Sequence, residues 1–453
     1  MRVLPLALAT LLAVVPAACT PEAEPPSPDV LTVGLPEPGS LVPGELRDQA
    51  GRTVASALWT PIPPSAATSP DLLTWTVRPP AGRFHDGTPV TAKSYADTWR
   101  LTGGSLGAKE ITAVDDTTVR IVLGQPSGEV PAKLTAPAFL PLPESVLVSR
   151  DWAGFSRNPI GNGPYRLASP WEPGRGAKLV RVSEEPGKPQ EIDLRVGDPG
   201  AQYDEVKAGE LDLAVEVPGA KHEAMHADFA DRHALWPLPS AGFLVFPLGD
   251  KRFEDAAVRF AFAMAADRAA LAKGPLGDQA DAARGALPGE RSGTCRPCSH
   301  DPAAAKALAS QGGFSGGTSL YFGPGEEAWA RALAEQIQGA LGFPVVAKPR
   351  HEGNPDGPLA ITVQAATPGE TVAALTAATG YAGAGFGDLV AAASSAPDEE
   401  ERAQRYRLVE NQLLRDLPAA PIWTGHGHAV WSPRLKNVVS APFHGISLAG
   451  ISL

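Results

Sequence analysis

Two hydrophobic periods run through the chain, and they place its elements. LTVGL at 31–35 and TTVRIVL at 117–123 alternate as strands do, whereas TAKSYADTW sets Ala92, Tyr95, Ala96 and Trp99 at i, i+3, i+4 and i+7, one face of a helix. That face is predicted core, with Phe84 beside it. FEDAAVRFAFAMAADRAALAK, 253–273, predicts one long Ala-rich helix with its acids early and Lys273 late, the order that suits the helix dipole. DPAAAKALAS and EEAWARALAEQIQGALG predict two more, the first capped by Asp301 with Pro302 behind it, the second stopping at Gly342 before the strand-like PVVAK. PDEEERAQRYRLVENQLLRDLP opens on Asp398 and three glutamates and lines Tyr406, Val409 and Leu413 along one stripe. Those acids read as a helix start, not a metal cluster. The alternation of strands and helices predicts an α/β or mixed α+β class, without a G-x-G-x-x-G or P-loop to hold a nucleotide.

Composition narrows the partners. The 453 residues are 43% hydrophobic and 20% charged, enough for two or three packed domains. A formal net charge of -11 with no run of Lys or Arg argues against nucleic acid or an anionic membrane surface, and for a small solute or a protein. Gly and Pro, 47 each, are spread along the chain and punctuate many turns.

The N-terminus points out of the cytoplasm. MRVLPLALATLLAVVPAAC has one Arg, an apolar run too short to span a membrane comfortably, and small residues before Cys19. TPEAEPPSPD follows, a Pro- and acid-rich stretch that buries nothing. Together they resemble a bacterial lipoprotein signal, although Pro16 stands where that signal usually carries Leu. The expectation is a signal at 1–19 with lipidated Cys19, then a disordered tether at 20–29. Export makes Cys295 and Cys298, one C-x-x-C without a second pair, a short-loop disulfide rather than a zinc site.

Two stretches carry histidines at ligand spacing. HEAMH (222–226) fits H-E-x-x-H, in which His222 and His226, one helical turn apart, would bind zinc while Glu223 activates its water. Against a zinc hydrolase, Asp228 falls where such helices want an apolar residue. Phe229 and Arg232 replace the Gly and His of one subclass, and His233 is off by one. GHGHAV places His426 and His428 as H-x-H, both rings on one side of a strand. These four are candidate metal ligands, with no metal or other cofactor assigned.

The order of segments is more specific than any one of them. LTVGLPEPGSLVPGEL, FHDGTPVTA (84–92), NPIGNGPY (158–165), GELDLAV, VRFAFAMAADR (258–268) and DEEERAQRYRLVENQLLRDLPAAPIW follow one another as in the solute-binding proteins of ABC importers, and resemble family 5, the peptide and nickel group. The resemblance runs from about 30 to 440. It implies a bilobed, periplasmic-binding-protein-like fold (type II, cluster C) with a small inserted domain. Lobe one is then 30–60, 155–245 and 424–453, the insert 61–154 and lobe two 246–423. The implied function is that of a non-enzymatic lipoprotein monomer on the outer face of the cell membrane. It would close on a small solute, of peptide or peptide-like class, and deliver it to a permease driven by ATPases. A binder of nickel or another metal chelate is the alternative.

Site residues carry over only in part. The loop after the first strand supplies solute contacts in the family, which here gives Glu37, Ser40 and Leu41. Peptide-binding relatives carry W-x-x-D-x-x-D-P in lobe two, where a carboxylate pairs with the peptide ammonium; AITVQAATPGETV (360–372) offers Gln364 and Thr367 and has neither Trp nor Asp. A free peptide N-terminus loses the partner that makes its burial tolerable. Tyr381, Phe386 and Trp423 are the expected aromatic wall.

Overall fold

The computed structural model describes residues 29–287, 295–351, 356–442 and 444–453. The expected signal, Cys19 and nearly all of the tether lie outside them. Two strands of thirteen residues, His233–Val245 and Ala419–Trp431, pair antiparallel and form the spine of an eleven-stranded sheet. On one side the order continues through Leu359–Gln364, Thr318–Phe322 and Val345–Pro349. On the other it continues through Leu213–Ala214, Val30–Leu35, Glu191–Val196, Gly176–Arg181 and Tyr165–Leu167. The short strand Ala280–Ala282 joins the edge of Ala419–Trp431 at Trp423–Gly425.

Each half of this sheet has its own hydrophobic core, so the spine strands are shared by two bodies. Leu31, Val33, Val54, Trp59, Leu194, Trp236 and Ala429 pack in the first; Phe243, Phe262, Trp329, Leu333, Tyr406 and Trp423 pack in the second. A third core, under the sheet of Ala67–Thr68, Thr74–Val77, Val119–Leu123 and Ala108–Ala113, holds Phe84, Tyr95, Trp99 and Phe139. Leu140, Leu142 and Val146 pack in the first core and Phe243–Val245 in the second, so the spine strand His233–Val245 changes core in mid-strand.

The family-like motifs are mostly architectural. In GELDLAV, buried Asp212 accepts from the Thr32 amide and hydroxyl at 2.9 Å each and from the Ser432 hydroxyl at 3.2 Å, tying three strands together. In NPIGNGPY, a Cβ on Gly161 or Gly163 would run into the Leu58 backbone at the end of helix Gln49–Leu58, and the Asn162 carboxamide accepts from the Thr60 amide at 3.2 Å. The expected single helix 253–273 is instead two, Ala256–Ala265 and Arg268–Lys273. Ala266 turns extended, Asp267 caps the second helix by accepting from the Ala270 amide, and the buried Arg268 guanidinium donates to the carbonyls of Ala263, Pro421 and Cys298. The Cys295 and Cys298 sulfurs are joined. No helix among the described residues is long and apolar enough to cross a membrane.

Candidate functional site

The two spine strands pair in two stretches separated by a register shift between Pro237 and Ala241. Prolines 237 and 239 cannot serve a regular ladder, and the shift lets the chain bulge there. On either side of the bulge a tryptophan faces a glycine: Trp236 opposite Gly427, Trp423 opposite Gly242. The absence of a side chain is used at both, since a Cβ on Gly427 would strike the Trp236 indole and one on Gly242 the Trp423 indole. Both rings thereby lie flat against backbone.

A cavity of about 780 Å³ opens at this bulge, lined by Trp236, Phe243, Asp281, Arg284, Trp423 and His426 among others. Trp236 belongs to the first core and Phe243 and Trp423 to the second, so the cavity lies between the two bodies. Its wall is aromatic and aliphatic, with one charge of each sign from the exposed Asp281 and Arg284. Both indole Nε1–H donors, of Trp236 and Trp423, are buried and without a hydrogen-bond partner among the described residues. Buried donors left unpaired cost roughly 1–3 kcal/mol each.

Of the eight residues expected to touch solute, Trp423 alone lines this cavity. Gln364, one strand away, accepts from the Arg52 guanidinium at 3.2 Å. Thr367 caps the helix Pro368–Thr379 in a capping box with Glu370, and its hydroxyl reaches Glu129 of the third core at 3.3 Å. Tyr381 and Phe386 pack edge to face in the second core, 4.9 Å between centroids, with the Tyr381 hydroxyl on Asp416. Glu37 accepts from the Trp171 indole at 2.8 Å and the Gly174 amide at 2.7 Å; Ser40 donates to Glu45, and Leu41 is buried in the first core. The other seven lie off this cavity, each with the contact just given. Trp236 carries no local signal in the sequence, since its partner Gly427 lies in the other spine strand.

The histidines assemble differently from the H-E-x-x-H pattern. HEAMH does lie on a helix, Gly219–Phe229, but His226 packs against His233 at 4.4 Å between centroids and Glu223 is exposed. His222 instead faces the strand, its ring 3.7 Å from that of His428 and 6.1 Å from that of His426. One nitrogen from each of His222, His426 and His428 lies within 4.8 Å of the other two. Burial, then the neighbouring His222 and His426 rings, pushes His428 down to about 3. Burial also opposes charge on His426, yet the hydrogen-bonded Asp281 carboxylate, at 3.0 Å, leaves its pKa raised.

A family model described as bacterial extracellular solute-binding proteins, family 5 (middle), matches residues 54–343, more than half of the chain. The chain therefore belongs to that family. It is similar to a putative ABC transporter peptide-binding protein of Brucella ovis, 32% identical over 115 residues, which make up 22% of this chain and 21% of the relative; the match thus spans about a fifth of that relative's length. Among solved structures it resembles the Escherichia coli murein tripeptide binding protein MppA (TM-score 0.72, 19% identity, 95% of this chain and 99% of that one). It also resembles NikZ of Campylobacter jejuni in complex with Ni(L-His) (TM-score 0.66, 17% identity, 94% and 100%). At these identities the structures establish the periplasmic-binding-protein fold.

Proposed function

We propose that the chain captures a small solute, of peptide or peptide-like class, in the cavity between its first two cores and passes it to a membrane permease served by ATPases. The two spine strands, His233–Val245 and Ala419–Trp431, act as the hinge, and closure around solute is the event that the permease reads. Lobe one comprises the first core with the segment Leu140–Val146, lobe two the second, and the third core is the insert. The protein works as a monomer outside the cytoplasm, held by lipidated Cys19 on the outer face of the membrane. The observation that carries this reading is the pair Trp236 and Trp423, one from each core, on the wall of a cavity between the two cores. An aromatic wall with Asp281 and Arg284 at hand for charged ends suits a molecule with an apolar body and polar termini, as a short peptide has. The protein catalyses nothing: Glu223 stands exposed on the helix, and the two histidines of HEAMH face different neighbours.

The test is a titration with a pool of tri- to pentapeptides, followed by intrinsic fluorescence, because two of the chain's tryptophans line the cavity. Saturable quenching or enhancement that weakens about tenfold or more in Trp423→Ala, which removes the ring from the wall, supports the reading. An unchanged response in that variant refutes it. A second reading, a metal-chelate solute, is favoured by His426 on the cavity wall, where one imidazole could complete the coordination of a chelated ion.

A further inference from the structure

We propose that His222, His426 and His428 form a binding site in the protein itself for a divalent late first-row metal ion of the zinc or nickel class. The site lies where helix Gly219–Phe229 crosses strand Ala419–Trp431. It is independent of any solute in the cavity, and it requires none of the H-E-x-x-H chemistry.

The donors are set up by their surroundings. His222 Nε2 lies 2.7 Å from the Val217 carbonyl, which only accepts, so the hydrogen is on Nε2, and Nδ1, 3.4 Å from Asp278 Oδ2, is the atom that would bind. His428 is 2% exposed, and its Nδ1 has no hydrogen-bond partner among the described residues. A buried imidazole left so is a rare feature in a folded chain unless something else takes up the lone pair or the proton. His426 meets the Asp278 carbonyl with Nε2 at 3.1 Å and the Asp281 carboxylate with Nδ1 at 3.0 Å, so ligation takes Nε2 off the carbonyl and leaves the carboxylate on Nδ1. A carboxylate behind a ligating histidine is the usual means of fixing its ring and raising its basicity.

The acids needed to offset a divalent charge are present as well. Asp278 Oδ2 is 3.4 Å from His222 Nδ1, so carboxylates approach the cluster at two of its three rings. Asp278 is held there by backbone: Gly219, the first residue of the helix, sits so close to Gly277 and Asp278 that any Cβ would collide with them. Imidazole is a ligand for zinc, nickel and copper rather than for calcium or magnesium, which fixes the class of ion. Tetrahedral coordination at about 2.0–2.1 Å sets nitrogens about 3.3 Å apart, so binding would draw the cluster together by at most about 1.5 Å.

The arrangement explains why the helix motif is incomplete. Its second histidine, His226, contributes nothing to the cluster; the H-x-H of the strand supplies two rings on one side, and the helix adds one. The bound ion would tie helix Gly219–Phe229, which packs with Tyr203 and Val206 in a small core of its own, to the segment 277–281, and through His426 it would share a residue with the cavity.

The test uses the full chain stripped with EDTA, dialysed against Zn²⁺ and against Ni²⁺ with no chelating solute present, with bound metal measured directly. One ion per chain is expected, weakened at least tenfold in His222→Ala and in His428→Ala and unchanged in His226→Ala. Co²⁺ should give the visible absorption bands of a tetrahedral site, lost in the same two variants. His428 is buried and its removal can cost folding, so His222→Ala, at a half-buried ring on the helix surface, decides alone. Absence of stoichiometric binding, or affinity equal in wild type and His222→Ala, would overturn the proposal, as would equal loss in His226→Ala. A peptide solute in the cavity leaves these outcomes untouched, so the two readings stand or fall separately.

Discussion

Trp423 lies against Gly242 across the spine of the sheet, in the space that any side chain at position 242 would occupy. The glycine thus sets where the cavity's aromatic wall stands. Gly242→Ala is expected to push the indole off the strand, at a cost of about 1–3 kcal/mol for overpacking, and to weaken solute binding more than it lowers stability. A thermal melt and a peptide titration on the same variant check this; normal affinity with a lowered melting temperature would separate the wall from the site.

Glu129 joins the third core to the second. Its carboxylate, 3% exposed, accepts from the Gly369 amide at 2.9 Å and the Thr367 hydroxyl at 3.3 Å. Glu129→Ala leaves a helix N-terminus without its acceptor and should cost about 1–3 kcal/mol, read as a lower urea midpoint. Proteolysis should then release the third core before the other two open. A single, undisturbed transition would contradict this.

Asp212 is the acid of GELDLAV and is 1% exposed, with four donors around it from Thr32, Ser432 and Arg434. Removing one partner of such a buried set is costly. Asp212→Ala should destabilise by about 3–5 kcal/mol and lower soluble yield, while Glu223→Ala, on the exposed side of helix Gly219–Phe229, should be nearly silent.

Two half-buried histidines, His85 and His444, act on stability in the same direction as the buried His428. Burial lowers His85, which bonds the Gly163 carbonyl and accepts from the Gly161 amide, and burial followed by the Arg52 charge lowers His444. Both stay neutral in the folded chain while the unfolded chain takes up protons below about pH 6.5. Stability is therefore full above that value and falls as the pH drops toward the folded values. The urea midpoint at about pH 5.5 should lie below that at about pH 7.5, with a smaller difference in His85→Asn; equal midpoints would contradict it.

Most of the fold could be read from the sequence because its signals are local. Alternation gave Val30–Leu35 and Val119–Leu123, and the stripe Ala92, Tyr95, Ala96, Trp99 is the buried face of a real helix. The break at Ala266 was hidden, since Asp267 within an Ala-rich run looks like one more helical residue until its side chain is seen capping the next turn. The site was far less visible. Tyr381, Phe386 and Trp423 are alike in the sequence, all aromatics of one core, and only the fold shows that of the three Trp423 lines the cavity. Trp236 and the three-histidine cluster depend on strands brought together from residues far apart, about 190 in the pairing of Trp236 with Gly427, which no local period can reveal.

The central claim is that a solute sits between the two cores against Trp236 and Trp423. Native mass spectrometry of the full chain, as purified from its expression host without added metal, tests it most directly. The account predicts an organic mass that leaves on gentle denaturation and is missing from the Trp236→Ala, Trp423→Ala double variant. A retained organic mass in that variant would contradict it.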